Sequence, residues 1–190
     1  MKELIKSRVQ ESIRVKEETL KTNLDCVVQI AEILIQTLKS GGKILFFGNG
    51  GSAADSQHIA AEFVGRFQKE RKSLAAVALT TDTSILTALG NDYGFDVIFA
   101  RQLEGIGKSA DAVMAYSTSG NSKNVLEGVK QAKKMGMKVL SFTGCGGGRL
   151  ASLSDVSIVV NSSNTARIQE SHICFSHIIC EIVEDYLSKK

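Results

Sequence analysis

Short apolar runs alternate with amphipathic segments along most of this chain. Five runs of five or six residues are almost continuously apolar, which predicts strands that are buried on both faces. They are Lys43–Phe47, Leu74–Leu79, Ala112–Tyr116, Lys138–Phe142 and Val156–Val160. Strands separated by helical segments pair in parallel through right-handed crossovers, with helices on both faces of the sheet. The pattern therefore predicts an α/β protein with a doubly wound, parallel five-stranded sheet flanked by helices.

The segments outside these runs carry apolar residues at helical spacing. Two such patterns precede the first strand, Leu4–Leu20 and Leu24–Lys39, and they predict an N-terminal two-helix arm that ends at Gly41. The other predicted helices are Ser52–Phe67, Thr83–Leu89 with Phe95–Leu103, Val125–Met135, a short one at Arg149–Ser154, and Asn164–Leu187.

The predicted arm has a wide apolar stripe, and only part of it can cover the sheet. The rest, together with the long C-terminal helix, is suited to packing against another copy of the chain. No linker or internal repeat divides the sequence. We therefore expect a single domain over 1–190, with a helical arm at 1–40 used in oligomer packing and an α/β sandwich at 41–190.

Two polar loops join predicted strands to predicted helices. They are Phe47–Ser52 (FGNGGS) and Ser117–Ser122 (STSGNS). Both lie at the carboxyl edge of the predicted sheet, where folds of this class bind ligands. Glycines allow sharp turns there, and hydroxyl and N–H groups at a helix N-terminus attract anions. Neither loop has the lysine of a triphosphate site, so they predict either a compact phosphate on a small molecule or two ordinary turns.

A dinucleotide site is the alternative reading of the first loop. Gly48–Ala53 matches the pattern GxGxxA, but the acidic residue expected about 20 positions later is missing. Asp82 lies too far along the chain to serve as that ribose partner. The motif alone therefore gives weak support for a nicotinamide or flavin enzyme.

Composition excludes several classes of protein. The 190 residues carry a net charge of only +3, and the lysines and arginines are scattered, which gives no support for nucleic-acid binding. No apolar run approaches the ~20 residues of a membrane span, and the N-terminus is too charged for a signal peptide. The four cysteines have no CxxC spacing and are predicted to be reduced thiols of a cytoplasmic protein.

Histidines are confined to two predicted helices. His58, Glu62 and Arg66 follow one another at spacings of four residues, so neighbouring pairs share a helix face. His58 and Glu62 fit a divalent-metal pair, an acid/base pair or a surface salt bridge, and the nearby anion loop favours the first two. In the last helix, Gln169 and His177 interrupt an apolar segment, where a ligand or metal could satisfy them.

The third histidine, His172, lies five residues before His177 and projects elsewhere on the same helix. A structural role is expected for it. Gln169 and His177 are separated by a rise of ~12 Å along an unbroken helix, whereas metal–ligand bonds are only ~2 Å long. Either the helix is irregular, or the two side chains at one site come from different subunits. This geometry and the apolar arm predict an obligate homo-oligomer with sites at subunit interfaces.

Five motifs in order resemble the sugar isomerase (SIS) family, and within it the phosphoheptose isomerases. They are GNGGSAAD, GNDYGF, STSGNS, GMKVLSFTG and ARIQESH followed by a second histidine. The likeness runs from about Gly42 to the C-terminus. It implies an aldose–ketose isomerase that converts sedoheptulose 7-phosphate to D-glycero-D-manno-heptose 7-phosphate by enediol-type proton transfer. That reaction is the first step of nucleotide-activated heptose biosynthesis. The family resemblance also implies a homotetramer.

The resemblance also implies roles for individual residues. One zinc ion per subunit is expected to bind His58, Glu62, Gln169 and His177, with Glu62 and His177 as catalytic base and acid. The phosphate is expected on Ser117, Thr118, Ser119 and Ser122. The sugar is expected on Asn49, Gly50, Gly51, Asn91 and Asp92. The predicted substrate-binding set also contains Ser52, Arg66, Glu62 and Gln169.

A second function stays open on the sequence alone. A non-catalytic SIS protein, acting as a regulator or a sugar-phosphate-binding protein, would have the same fold and the same phosphate loop. It would have no reason to keep the set of His58, Glu62, Gln169 and His177, which favours the enzyme.

Overall fold

The computed structural model describes residues 1–188, and at its centre is a sheet of five parallel strands. The strands are β1 (Ile44–Phe47), β2 (Ala76–Ala78), β3 (Ala112–Ser117), β4 (Lys138–Thr143) and β5 (Val156–Val159). Each begins and ends within two residues of a predicted run. The predicted α/β class, with a doubly wound parallel sheet, is confirmed.

Strand order places both polar loops at one crevice. The order across the sheet is β2-β1-β3-β4-β5, so the chain builds outward from β1 to one edge and then returns to β3. In an open α/β sheet, ligands bind outside the carboxyl ends of the strands where this reversal occurs. The loops after β1 and β3 both border that point.

Seven α-helices surround the sheet within residues 1–188. They are α1 (Lys2–Lys39), α2 (Gly51–Val64), α3 (Thr83–Asp92), α4 (Ile98–Ile106), α5 (Lys123–Lys134), α6 (Gly148–Leu153) and α7 (Thr165–Leu187). A 3-10 turn, Phe95–Val97, leads into α4. Among these residues, no helix is both long and apolar enough to cross a membrane.

The predicted two-helix arm is wrong, because α1 is one continuous helix. The polar stretch at 21–23 contains neither proline nor glycine, so nothing in it breaks the helix. Asn23 Nδ2 donates to the carbonyl of Thr19 one turn earlier, at 2.9 Å. Its Oδ1 accepts the Val159 N–H at 2.9 Å, and its Nδ2 also reaches the Val159 carbonyl at 3.2 Å. The polar residue that suggested a boundary instead joins α1 to the edge strand β5.

Two apolar layers hold the helices on the sheet. One face of the sheet packs against α1, α2 and α7, and the other against α4, α5 and α6. Alternate strand residues point into each layer, as Phe46 and Phe47 of β1 do. Because α2 and α7 share one face, His58 and Glu62 of α2 are brought next to His177 of α7.

Candidate active site

The serine loop after β3 is a compact turn that leads into α5. Ser117, which ends β3, is 3% exposed, and its Oγ lies 2.9 Å from Ser122 Oγ. Ser122 is the N-cap residue of α5. Gly120 has φ +65°, and a Cβ there would lie 2.0 Å from the Gly147 carbonyl oxygen, so the turn requires glycine. Ser119 at the tip is exposed.

A second loop, between β4 and α6, supports the serine loop from behind. The Gly144 N–H donates to the Thr118 carbonyl at 3.1 Å, and the Leu150 N–H donates to the Gly120 carbonyl at 2.9 Å. The Arg149 N–H donates to Asn121 Oδ1 at 3.2 Å. These contacts fix the backbone of the serine loop, including Thr118, and sequence reasoning did not find them.

The loop after β1 is tied to the serine loop by two asparagines. Asn49 Nδ2 donates to Asn124 Oδ1 at 2.8 Å, and Asn124 Nδ2 donates back to Asn49 Oδ1 at 2.8 Å. Asn124 lies in the first turn of α5 and is 3% exposed. The pair holds the N-termini of α2 and α5 side by side, so the positive ends of two helix dipoles face one crevice. Gly50, at φ +57°, turns the chain into α2.

His58, Glu62 and His177 form one group between α2 and α7. His58 Nε2 lies 3.1 Å from Glu62 Oε1 and 3.2 Å from His177 Nε2. One ligand atom from each of the three lies within 4.8 Å of the others, which is close enough to hold a metal ion. Two facing imidazole nitrogens beside a carboxylate oxygen are a donor set that a cation satisfies.

The charge state of His177 suits metal binding. Burial lowers its pKa, as does the neighbouring His58, while Glu62 raises it. The pKa of His177 therefore lies below the ordinary value of histidine, so most of the imidazole is neutral at neutral pH. A neutral ring is the form that binds metals.

Gln169 lies at the start of α2 in the same chain. Its side chain lies against Gly51, where a Cβ would be 2.6 Å from Gln169 Nε2. His58 is seven residues further along α2, a rise of roughly 10 Å. No irregularity interrupts α7 between Gln169 and His177. Of the two arrangements left open by the sequence, an irregular helix is therefore excluded.

The remaining predicted substrate residues are spread around the group. Ser52 is 3% exposed and lies beneath the glycine loop. Arg66 is exposed, with its Nε 3.5 Å from Glu70 Oε2. Asn91 and Asp92 are exposed at the end of α3, where Asn91 Nδ2 donates to Asp92 Oδ1 at 2.8 Å. Over residues 1–188, no hydrogen bond joins Arg66, Asn91 or Asp92 to either polar loop.

One further titratable residue in α2 was not found from the sequence. Asp55 lies one turn before His58, and its Oδ2 is buried without a hydrogen-bond partner in the described chain. Burial raises its pKa to about 6, although His58 opposes the shift. A polar residue one turn from His58 on the same helix was the available signal.

Comparisons with known proteins agree with this geometry. A family model described as SIS domain matches residues 9–144. A phosphoheptose isomerase from Aquifex aeolicus is 50% identical over 190 residues, covering 100% of both chains. The structure of phosphoheptose isomerase GmhA from Neisseria gonorrhoeae matches with a TM-score of 0.92 and 48% identity, over 97% of this chain and 98% of that chain.

A phosphoheptose isomerase structure from Francisella tularensis also matches with a TM-score of 0.92, at 38% identity, over 96% of this chain and 97% of that chain. The similarity thus extends over both polar loops, α2 and α7. The chain belongs to the SIS domain family and, within it, to the phosphoheptose isomerases.

Proposed function

We propose that this chain interconverts sedoheptulose 7-phosphate and D-glycero-D-manno-heptose 7-phosphate as an aldose–ketose isomerase. The observation that carries the proposal is the group of His58, Glu62 and His177 beside a crevice built to hold an anion. The relatives at 50% identity support the same reaction. The product would enter nucleotide-activated heptose biosynthesis.

The sugar phosphate would be anchored at its phosphate end. Ser117, Thr118, Ser119 and Ser122 offer hydroxyl and N–H donors, and the N-termini of α2 and α5 add positive potential. Asn49, Gly50, Gly51 and Ser52 would line the sugar on the other side of the crevice. Binding energy gained at the phosphate would then orient the reacting carbons, C1 and C2, toward the histidines.

The isomerisation moves a proton between C1 and C2, and the three-residue group can manage it. Glu62 is the proposed base that carries the carbon-bound proton, and His177, neutral at the start, is proposed to take a proton from one oxygen and to return it as the acid to the other. Each would serve as a metal ligand in one state and as a proton carrier in another. The donor set also suits zinc, which has a preference for imidazole nitrogen and carboxylate oxygen. We assign one zinc ion per subunit to His58, Glu62 and His177 of one copy and Gln169 of another copy. When bound, the zinc ion would polarise the substrate carbonyl as a Lewis acid.

The geometry of Gln169 supports an assembly in which subunits share sites. Within its own chain, the Gln169 side chain lies against Gly51, seven residues before His58 on α2. A homotetramer with active sites at subunit interfaces would bring the Gln169 of another copy to each histidine group. The exposed apolar residues of α1 offer a surface for that assembly. Arg66, Asn91 and Asp92 would complete the sugar site, and cytoplasmic location stays a prediction.

A non-catalytic sugar-phosphate-binding protein is the second candidate, because the fold and serine loop would serve it equally well. Two imidazoles and a carboxylate at 3.1–3.2 Å favour the enzyme, since binding a sugar phosphate does not require them.

The first test is incubation of the purified protein with sedoheptulose 7-phosphate, with and without a chelator, while aldose formation is followed. We expect turnover that the chelator abolishes. Glu62→Gln keeps the shape of the side chain but removes the base, so kcat/KM should fall by ~1,000-fold or more. Glu127→Gln, which changes a half-exposed carboxylate on α5 that pairs only with Lys130, is the matched control and should keep full activity. An active Glu62→Gln enzyme would refute the mechanism.

A further inference from the structure

The segment between α2 and β2 is held against α7 by one buried carboxylate. Glu184 of α7 is 1% exposed and accepts the backbone N–H groups of Phe67, Gln68 and Lys69 at 2.9, 2.6 and 2.8 Å. Burial by itself would raise the pKa of Glu184, but these three N–H groups and Arg71 lower it, so the group stays ionised. Three charge-assisted hydrogen bonds fix three successive residues of the loop.

Arg71 completes this attachment. Its Nε lies 3.0 Å from Glu184 Oε1, and its side chain is 6% exposed. Its Nη1 donates to the Phe63 carbonyl at 2.9 Å and its Nη2 to the Glu62 carbonyl at 2.7 Å, which caps the last turn of α2. Desolvation offsets much of the attraction within a buried ion pair, so its main effect here is on geometry.

The attached loop places an aromatic ring on the site. The ring of Phe67 stacks on that of His177, with centroids 5.4 Å apart and planes inclined by 23°. The rings of His58 and His177 meet edge to face, with centroids 4.9 Å apart and planes inclined by 64°. His177 lies two turns before Glu184 on α7, so the same face of that helix carries both the imidazole and the anchor of its aromatic neighbour.

We infer that Phe67 is a positioning residue that holds the His177 imidazole toward His58 and Glu62. The inference rests on the catalytic role proposed above for His177. A histidine side chain turns about two bonds, and a flat ring on one face removes the rotamers in which the imidazole swings away. The stacked ring also keeps water from that face. Loss of the ring should therefore act on the chemical step and leave phosphate binding unchanged.

Kinetics of matched variants test this role. Phe67→Tyr keeps the flat ring, whereas Phe67→Leu and Phe67→Met keep an apolar side chain without it. We expect the Leu and Met variants to lose about tenfold in kcat with KM within about twofold, and the Tyr variant to keep kcat within about twofold. Tyr186→Leu, which removes an exposed aromatic ring from the end of α7, is the control and should match wild type. A wild-type kcat in both Phe67→Leu and Phe67→Met would overturn the inference.

A spectroscopic readout tests the placement without turnover. The chain has only three histidines, so their ring signals can be assigned by NMR with single His→Gln variants. In metal-free protein, the stacked ring should shift the His177 ring protons upfield, and the shift should vanish in Phe67→Leu and persist in Phe67→Tyr. A shift that is absent from wild type, or that survives in Phe67→Leu, contradicts the stack. A wild-type protein that shows the shift but no isomerase activity refutes the proposed function and leaves the placement standing.

Discussion

His172 is a buried base beneath the carboxyl end of β4. It is fully buried, and its Nε2 lies 3.1 Å from the Thr143 carbonyl oxygen, so that nitrogen carries the proton. The rings of Tyr116 and Phe142 lie beside it. Burial lowers its pKa to about 4, although the bond to Thr143 favours the protonated form. The structural role predicted for His172 agrees with this position.

This burial makes stability depend on pH. An unfolded chain binds a proton on His172 near pH 6.5, whereas the folded chain does so only near pH 4. Between these values the unfolded state holds more protons, so the free energy of unfolding falls as pH falls through that window. The contribution of His172 should amount to about 2 kcal/mol between pH 7.5 and pH 5.

Urea unfolding at those two pH values, at one protein concentration, measures the effect. His172→Gln removes the titration, so its loss of stability between pH 7.5 and pH 5 should be smaller than that of wild type by about 2 kcal/mol. Equal losses in the two proteins would show that His172 does not cause the dependence.

Residue types and local spacing were enough to find part of the site. His58 and Glu62 stood out because they share one helix face near a glycine loop. Asn124 could not be found in this way, since its role depends on Asn49, 75 residues earlier. The position of Asp55 one turn before His58 could be read from the sequence, but its burial could not, because only the packing of α2 decides whether its carboxylate is buried. Local sequence patterns predict which side chains could belong to the site, and tertiary contacts decide which of them do.

At the scale of elements, the position of the Gln169 side chain of α7 against the start of α2 depends on one glycine. A Cβ on Gly51 would lie 2.6 Å from Gln169 Nε2 and 2.8 Å from its Cδ and Oε1. The colliding atoms are the end of a flexible side chain, which can turn aside at a cost of about 1 kcal/mol. The backbone of both helices would stay in place.

We therefore expect Gly51→Ala to separate activity from stability. Displacement of Gln169 should lower kcat/KM by about tenfold or more, while the free energy of unfolding changes by about 1 kcal/mol or less, because alanine also favours the helix. Gly105→Ala in α4 is the control, since a Cβ there meets no heavy atom within 4 Å. Full activity in Gly51→Ala would mean that catalysis does not require Gln169 to lie against this glycine.

The strands and helices could be located from the sequence where the same kind of environment surrounds the whole element. The central strands β1, β3 and β4 are covered on both faces and read as continuous apolar runs. The edge strands β2 and β5 are only partly buried, but their runs are apolar enough that all five strands were found. The length of α1 was missed because Asn23 has the local character of a helix boundary. Its partner, Val159, lies 136 residues away, and no local pattern carries that information.

At the scale of the whole molecule, α1 leaves an apolar surface open. Seven large apolar side chains on it are 44–63% exposed in the single chain. They are Leu4, Ile5, Val9, Ile13, Leu20, Leu24 and Val28. A surface of this kind is typical of contact between identical subunits, and it supports the assembly proposed from Gln169.

Mixing of inactive variants tests whether subunits share sites. Glu62→Gln and Gln169→Ala chains, each inactive alone, should regain activity when refolded together, because a mixed pair contains one site with every group intact. Glu62→Gln mixed with His177→Gln should stay inactive, since Glu62 and His177 belong to one group within the same chain. A protein that light scattering shows to be a monomer and that is fully active would contradict the shared site. Failure of the first mixture to regain activity would contradict it as well.

The pairing of the first helix with the last has a consequence for synthesis. Ser12 Oγ donates to Glu170 Oε2 at 2.6 Å across 158 residues of chain, and Arg167 reaches the carbonyl of Arg8 at 2.7 Å. When α1 leaves the ribosome, neither β5 nor α7 has been made, so the face of α1 that contacts them has no partner yet. Contacts this distant in sequence form slowly and late in folding. Although α1 is made before β5 and α7, it is thus among the last of these elements to reach its native place.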